Sequence, residues 1–118
     1  MNALEVAVYA LVLSGGGTQP FSCSLDAVKA DVVCTNGLAA KRNADGNIEF
    51  DNGVQVVRLM DGRLAFSNGV NTHWGSAGWV QFSTGLSVRR QTNGSFRFSN
   101  GMTCEAAGEG KATCAGKG

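Results

Sequence analysis

One histidine, two tryptophans and four cysteines are the side chains of this sequence whose chemistry could exceed a structural role. His73, Trp74 and Trp79 crowd into Asn71-Thr72-His73-Trp74-Gly75-Ser76-Ala77-Gly78-Trp79. Two indoles beside an imidazole could form an aromatic platform for a sugar or another ligand. The plainer reading is that Trp74 fills core, at a place where Arg58 and Arg90 stand in equivalent repeats. Neither a second histidine nor a carboxylate cluster accompanies His73, so metal binding and acid–base catalysis lack parts. The serines fall in turns without a G-x-S-x-G elbow. Gly15-Gly16-Gly17 lacks the Lys-Ser/Thr of a phosphate loop and reads as a linker. Asn93-Gly94-Ser95 matches a glycosylation sequon, but the same residues are needed for a hairpin turn. Arg58 and Arg90 lie near hairpin ends, where long side chains snorkel to water. No enzyme and no cofactor is expected.

The cysteines form two spaced pairs, Cys23/Cys34 and Cys104/Cys114, for which three connectivities exist. A loop at Gly108-Glu109-Gly110 makes Cys104 and Cys114 directly opposed cross-strand neighbours, within disulfide range. Cys23 and Cys34 then clip the opposite end of the array. Zinc is the weaker reading, because no C-x-x-C occurs. Two disulfides imply an oxidising compartment, the periplasm or the cell exterior.

The elements that carry these residues follow from a glycine rhythm. One register is Gly37, Gly53, Gly69, Gly85 and Gly101; a second is Gly46, Gly62, Gly78, Gly94 and Gly110, each with a period of 16 residues. Phe50, Phe66, Phe82 and Phe98 repeat in a third register, with Cys34 and Cys114 in the same phase. A short fixed period signals an array of one supersecondary unit. Asp or Asn precedes Gly at Asp51-Asn52-Gly53, Met60-Asp61-Gly62, Ser67-Asn68-Gly69, Thr92-Asn93-Gly94 and Ser99-Asn100-Gly101. That order suits a three-residue hairpin loop, a type I turn followed by a left-handed Gly. The strands left between turns, such as residues 54–59 and 63–66, pair antiparallel with their sequence neighbours. The expected fold is all-β, an antiparallel meander of about nine short strands with an N-terminal apolar segment and two disulfides.

Loop length also fixes the faces. Even-numbered residues form an apolar face that includes Ile48, Phe50, Val56, Phe66, Phe82, Val88, Phe98 and Met102. The odd face carries Glu49, Gln55, Arg63, His73, Gln81, Arg89 and Arg97, with Val57, Leu59 and Trp79 as apolar exceptions. Period-two alternation of this kind marks a sheet with one buried and one wet face.

The chain has 118 residues, a net charge of +1, 17 glycines and 16% charged residues. Such low charge favours packing against other protein, and the absence of a basic run argues against nucleic acid. Residues 1–17 read as an apolar segment with a Gly linker, and residues 18–118 as the meander domain. Ala3–Leu13 has no basic flank and contains Glu5, which fits a signal peptide poorly. As a helix it spans ~16 Å, too little for a bilayer core of ~30 Å. Export is therefore expected to use sequence beyond this chain. The valines and the alternation Leu4, Val6, Val8, Ala10, Val12 favour a strand modestly. Such a strand looks too narrow to cover the apolar face, and an open face of that size calls for a partner.

Met1-Asn2-Ala3-Leu4-Glu5-Val6-Ala7-Val8 resembles the start of a mature type IV pilin, with an acidic fifth residue inside an apolar run. The Gly-rich break and Pro20 are similar to the region where pilin helices loosen. A β-meander head with a disulfide near its C-terminus is also similar to pilin heads. Pilins continue the apolar helix further and carry a leader peptide, so the chain looks most like the head subunit of a split pilin of the geopilin type. The resemblance implies a structural, non-catalytic subunit on a pilus or secretion pseudopilus, docked on a helix-only pilin chain and on neighbouring copies. Partner contact would then fall on Leu4, Glu5, Val6, Val8, Phe50, Phe66, Phe82 and Phe98. The competing expectation is an extracellular module binding a ligand or cell-wall carbohydrate through His73, Trp74 and Trp79. A further one is homopolymerisation, with residues 1–13 inserted into the next subunit.

Overall fold

Most hairpin loops turn on a left-handed Gly, preceded by Asn at Gly37, Gly53, Gly69, Gly94 and Gly101 and by Asp45 at Gly46 or Thr84 at Gly85. In the computed structural model, which describes residues 3–14, 19–26, 28–59 (Arg58 by its backbone) and 64–116, Gly53 has φ +91° and Gly85 φ +98°. That left-handed conformation costs a residue with a Cβ about 1–2 kcal/mol. The preceding Asn folds back onto the loop: Val54 N–H donates to Asn52 Oδ1 at 3.0 Å, and Val70 N–H to Asn68 Oδ1 at 3.2 Å. Phe50 N–H then closes the hairpin on the Val54 carbonyl at 2.8 Å. Met60-Asp61-Gly62, Arg63, residues 15–17 and the first two residues lie outside the described part.

These loops join β1 (Phe21–Asp26), β2 (Asp31–Cys34), β3 (Ala39–Arg42), β4 (Ile48–Phe50), β5 (Gln55–Arg58), β6 (Leu64–Phe66), β7 (Thr72–Trp74), β8 (Trp79–Phe82), β9 (Ser87–Arg90), β10 (Phe96–Phe98), β11 (Met102–Ala106) and β12 (Lys111–Gly116). The meander expected from the sequence is present, with twelve strands rather than about nine. Every strand from β1 to β6 and from β7 to β12 pairs antiparallel with its sequence neighbour, and β1 also pairs with β12. The two ends of that sheet, β6 and β7, meet through a hairpin loop and the single bridge Ala65↔Asn71. Thr72 strengthens this seam: Leu64 N–H donates to its Oγ1 at 2.8 Å, and its hydroxyl donates to the Leu64 carbonyl at 3.3 Å. The meander is thus a nearly closed barrel. Its two rims differ. The lower rim carries the loops at Gly37, Gly53, Gly69, Gly85 and Gly101, the upper rim those at Gly46, Gly94 and Gly110.

Ala3–Leu13 is a helix, α1, not a strand. It runs inside the barrel and packs chiefly on β12, β1, β11 and β2. Val6, Ala7, Ala10 and Leu11 are sealed from solvent together with the inward phenylalanines, in one continuous core. The expectation that the apolar face needs cover from another chain is corrected by this arrangement. Twelve strands at ~4.8 Å, tilted by ~40°, enclose a barrel ~23 Å across. A helix ~10 Å wide fits within it, and its ~16 Å length matches strands of about five residues. A helix that is apolar all round requires burial on every side. Segment and meander accordingly share one core rather than forming separate units at residue 17.

The expected disulfides are both formed, Cys23–Cys34 and Cys104–Cys114. Each links directly opposed residues of neighbouring strands. Together they staple β2, β1, β12 and β11, the strands on which α1 rests, and the Ala7 carbonyl lies 3.8 Å from Cys114 Sγ.

A second set of ties runs around the lower rim. Ser67 N–H donates to the Gln55 carbonyl at 2.9 Å, while Gln55 N–H donates to Ser67 Oγ at 2.8 Å. Thr35 with Ser22, Asp51 with Ala39, Ser83 with Asn71 and Ser99 with Ser87 repeat this reciprocal pair. Each ties the first loop residue to the strand preceding its hairpin. Thr35, Asp51, Ser67, Ser83 and Ser99 all keep the 16-residue spacing and all offer a short oxygen acceptor.

Candidate functional site

Because α1 leans on β11, β12, β1 and β2, the barrel is filled unevenly. Between the helix and the opposite wall, β6 to β10, lies a cleft of about 540 Å³. This is the size range of small-molecule pockets. Leu4, Glu5, Val8 and Tyr9 form its helix side, and Leu64, Val80, Phe82, Val88 and Phe96 its apolar strand side. Tyr9 and Phe82 on its lining are linked through Phe66. Tyr9 meets Phe66 edge-to-face with ring centroids 5.9 Å apart, and Phe66 meets Phe82 likewise at 6.2 Å. The cleft opens at the upper rim beside Gly94, with Trp74 and Arg90 on its lining.

Trp74 is 62% exposed, so it is not core filler. The repeat accounts for its position, because Arg42, Arg58, Trp74 and Arg90 recur every 16 residues. Alternation aims that position inward, yet it falls at the strand end where the barrel opens. An indole there leaves a large apolar surface on the lip of an apolar cleft. Arg90 is exposed, and among the described residues its guanidinium has no hydrogen-bond or ion-pair partner. Arg42 differs, since its Nη1 donates to the Gly46 carbonyl at 2.8 Å. Glu5 and Tyr9 separate the cleft from a smaller hollow of about 130 Å³ beside Arg42 and Ile48, and both are engaged within the protein.

The residues singled out from the sequence are scattered by the fold. Phe50, Phe66, Phe82, Phe98, Val6 and Val8 are buried beneath the barrel's own surface. Leu4 and Glu5 are half-buried at the cleft. His73, opposite Gln81, is exposed on the outer face, and Trp79, opposite Arg89, is half-buried there. The trio therefore does not make one platform, because Trp74 belongs to the cleft and the other two to the outside. The sequence reading missed Tyr9, Val80, Val88 and Phe96 as parts of one lining. Their inward parity was legible, but the gap between them and α1 was not. Among the described residues no group of three or more His, Cys, Asp or Glu side chains is arranged to hold a metal. None of the described helices is long and apolar enough to cross a membrane.

No protein-family model, no curated protein and no solved structure matches this chain.

Proposed function

We propose that the chain is a non-catalytic, disulfide-stapled binding module of an extracellular or periplasmic protein, with its ligand seated in the upper-rim cleft. The observation that carries this reading is the apolar cleft of about 540 Å³ with an indole left 62% exposed at its lip. Apolar pockets with few polar groups bind ligands largely by burial, and the polar groups orient them. Of the hydroxyls on the lining, Thr72 is already tied to the Leu64 backbone and Tyr9 is engaged within the protein. An apolar lining also favours a hydrocarbon over a carbohydrate, whose hydroxyls need a dense set of partners. The filament-subunit reading has lost the open face on which it rested, since the phenylalanines meant for docking are inside. Export to an oxidising compartment remains the natural setting for two disulfides.

The test is a titration of the full, oxidised chain with an environment-sensitive apolar dye. Saturable binding at one site per chain is expected, weakened by Val88→Phe, which fills the cleft, and by Trp74→Ala. Binding that is non-saturable, or unchanged in Val88→Phe, defeats the proposal.

A further inference from the structure

Among the described residues the cleft presents one guanidinium, that of Arg90, at the mouth of a mainly apolar space. We infer that its occupant is a single-chain anionic amphiphile, a carboxylate on a linear hydrocarbon tail, with Arg90 holding the headgroup. This rests on the cleft being a binding site, as proposed above, and adds the chemistry of its ligand.

Three features converge on that class. The strand wall of Leu64, Val80, Phe82, Val88 and Phe96 offers contact to a tail along its depth. Tyr9 and Phe82 add aromatic surface to that lining, and Phe66 bridges them edge-to-face from behind it. Arg90 is exposed at the mouth, without a partner among the described residues, whereas the equivalent Arg42 is held by the Gly46 carbonyl. A guanidinium matches a carboxylate in a bidentate geometry that an ammonium or a hydroxyl does not reproduce. Glu5 also borders the cleft, but it is engaged within the protein, so among the described residues the charge without a partner there is the positive one of Arg90. Trp74, on the same lip of the cleft, suits the junction between tail and headgroup, where indoles with an apolar body and a polar edge settle.

The experiment compares dodecanoate, dodecanol and dodecyltrimethylammonium, each below its aggregation threshold, on the oxidised full chain. Binding is followed by tryptophan fluorescence and by calorimetry. The wild type should bind dodecanoate at least about tenfold tighter than the alcohol, the size of one charge-assisted pair, and the cation most weakly. Arg90→Gln should erase the carboxylate preference while leaving alcohol binding and the thermal midpoint unchanged. Equal affinities for carboxylate and alcohol, or an unchanged preference in Arg90→Gln, overturn the headgroup assignment and leave the cleft as a site. Preference for the cation overturns it in favour of Glu5. Failure of all three ligands overturns the cleft reading itself.

Discussion

Two substitutions one residue apart on α1 should have different consequences, because the helix has a tight side and a loose side. Ala7 is fully buried, borders neither the cleft nor the smaller hollow beside Arg42, and its carbonyl lies 3.8 Å from Cys114 Sγ. Val8 borders the 540 Å³ cleft. Ala7→Phe must force a ring into filled space, at about 1–3 kcal/mol or more. Helix propensity accounts for about 0.5 kcal/mol of that loss. Val8→Phe extends into the cleft and buries roughly 40 Å² more apolar surface, worth about 1 kcal/mol at 25 cal/mol per Å². For a domain of this size 1 kcal/mol moves the thermal midpoint by roughly 3–6 °C. Thermal unfolding under non-reducing conditions should therefore show Ala7→Phe lower by roughly 5–15 °C, and Val8→Phe unchanged or slightly higher. Val8→Phe should also weaken dye binding, whereas Ala7→Phe should not while it remains folded. If Val8→Phe destabilises as much as Ala7→Phe, the helix has no loose side and the argument for the cleft fails.

The lower-rim ties predict a graded series. Ser67→Ala, Ser83→Ala and Ser99→Ala each remove one hydroxyl that accepts from a backbone N–H at an exposed rim, so each should cost about 0.5–1.5 kcal/mol in chemical denaturation. Being on separate hairpins they should add within ~0.5 kcal/mol; a triple variant as stable as the wild type refutes the clamp. For the disulfides, loops of 11 and 10 residues give about 2.7 kcal/mol each by chain entropy. Replacing both cysteines of either pair by alanine should lower stability by that order. Retention of the full midpoint in the Cys104→Ala, Cys114→Ala variant would show that the floor under α1 needs no staple.

What the sequence disclosed and what it hid divide along the range of the interaction. Turn type, strand parity and the opposition of Cys104 to Cys114 are decided within one hairpin, and each was legible from Asn-Gly spacing and a three-residue loop count. The lower-rim acceptors were equally local and equally periodic. Turn formation alone accounts for Ser67 at its position, which hides that its hydroxyl also reaches back to a strand 12 residues earlier. Closure was different. The pairing of Phe21 with Cys114 joins the ends of the meander, and no local pattern announces it.

The identity of the N-terminal segment turned on the same distinction. Its valines and its alternation argued for a strand, yet residues 3–13 are apolar on every face of a helix, with Glu5 the one charge. That pattern destabilises a surface element and suits one enclosed on all sides. A flat, open sheet offers no such enclosure, so the helix is legible only together with closure of the barrel. Strands twist, and twelve of them bend round far enough to meet; the same inward phenylalanines that seemed to demand a second chain then demand a plug. The plug is narrower than the space and leans on the stapled strands. The space it leaves on the other side, bounded by Val8, Val88 and Arg90, is therefore a consequence of building a barrel from twelve strands around one helix.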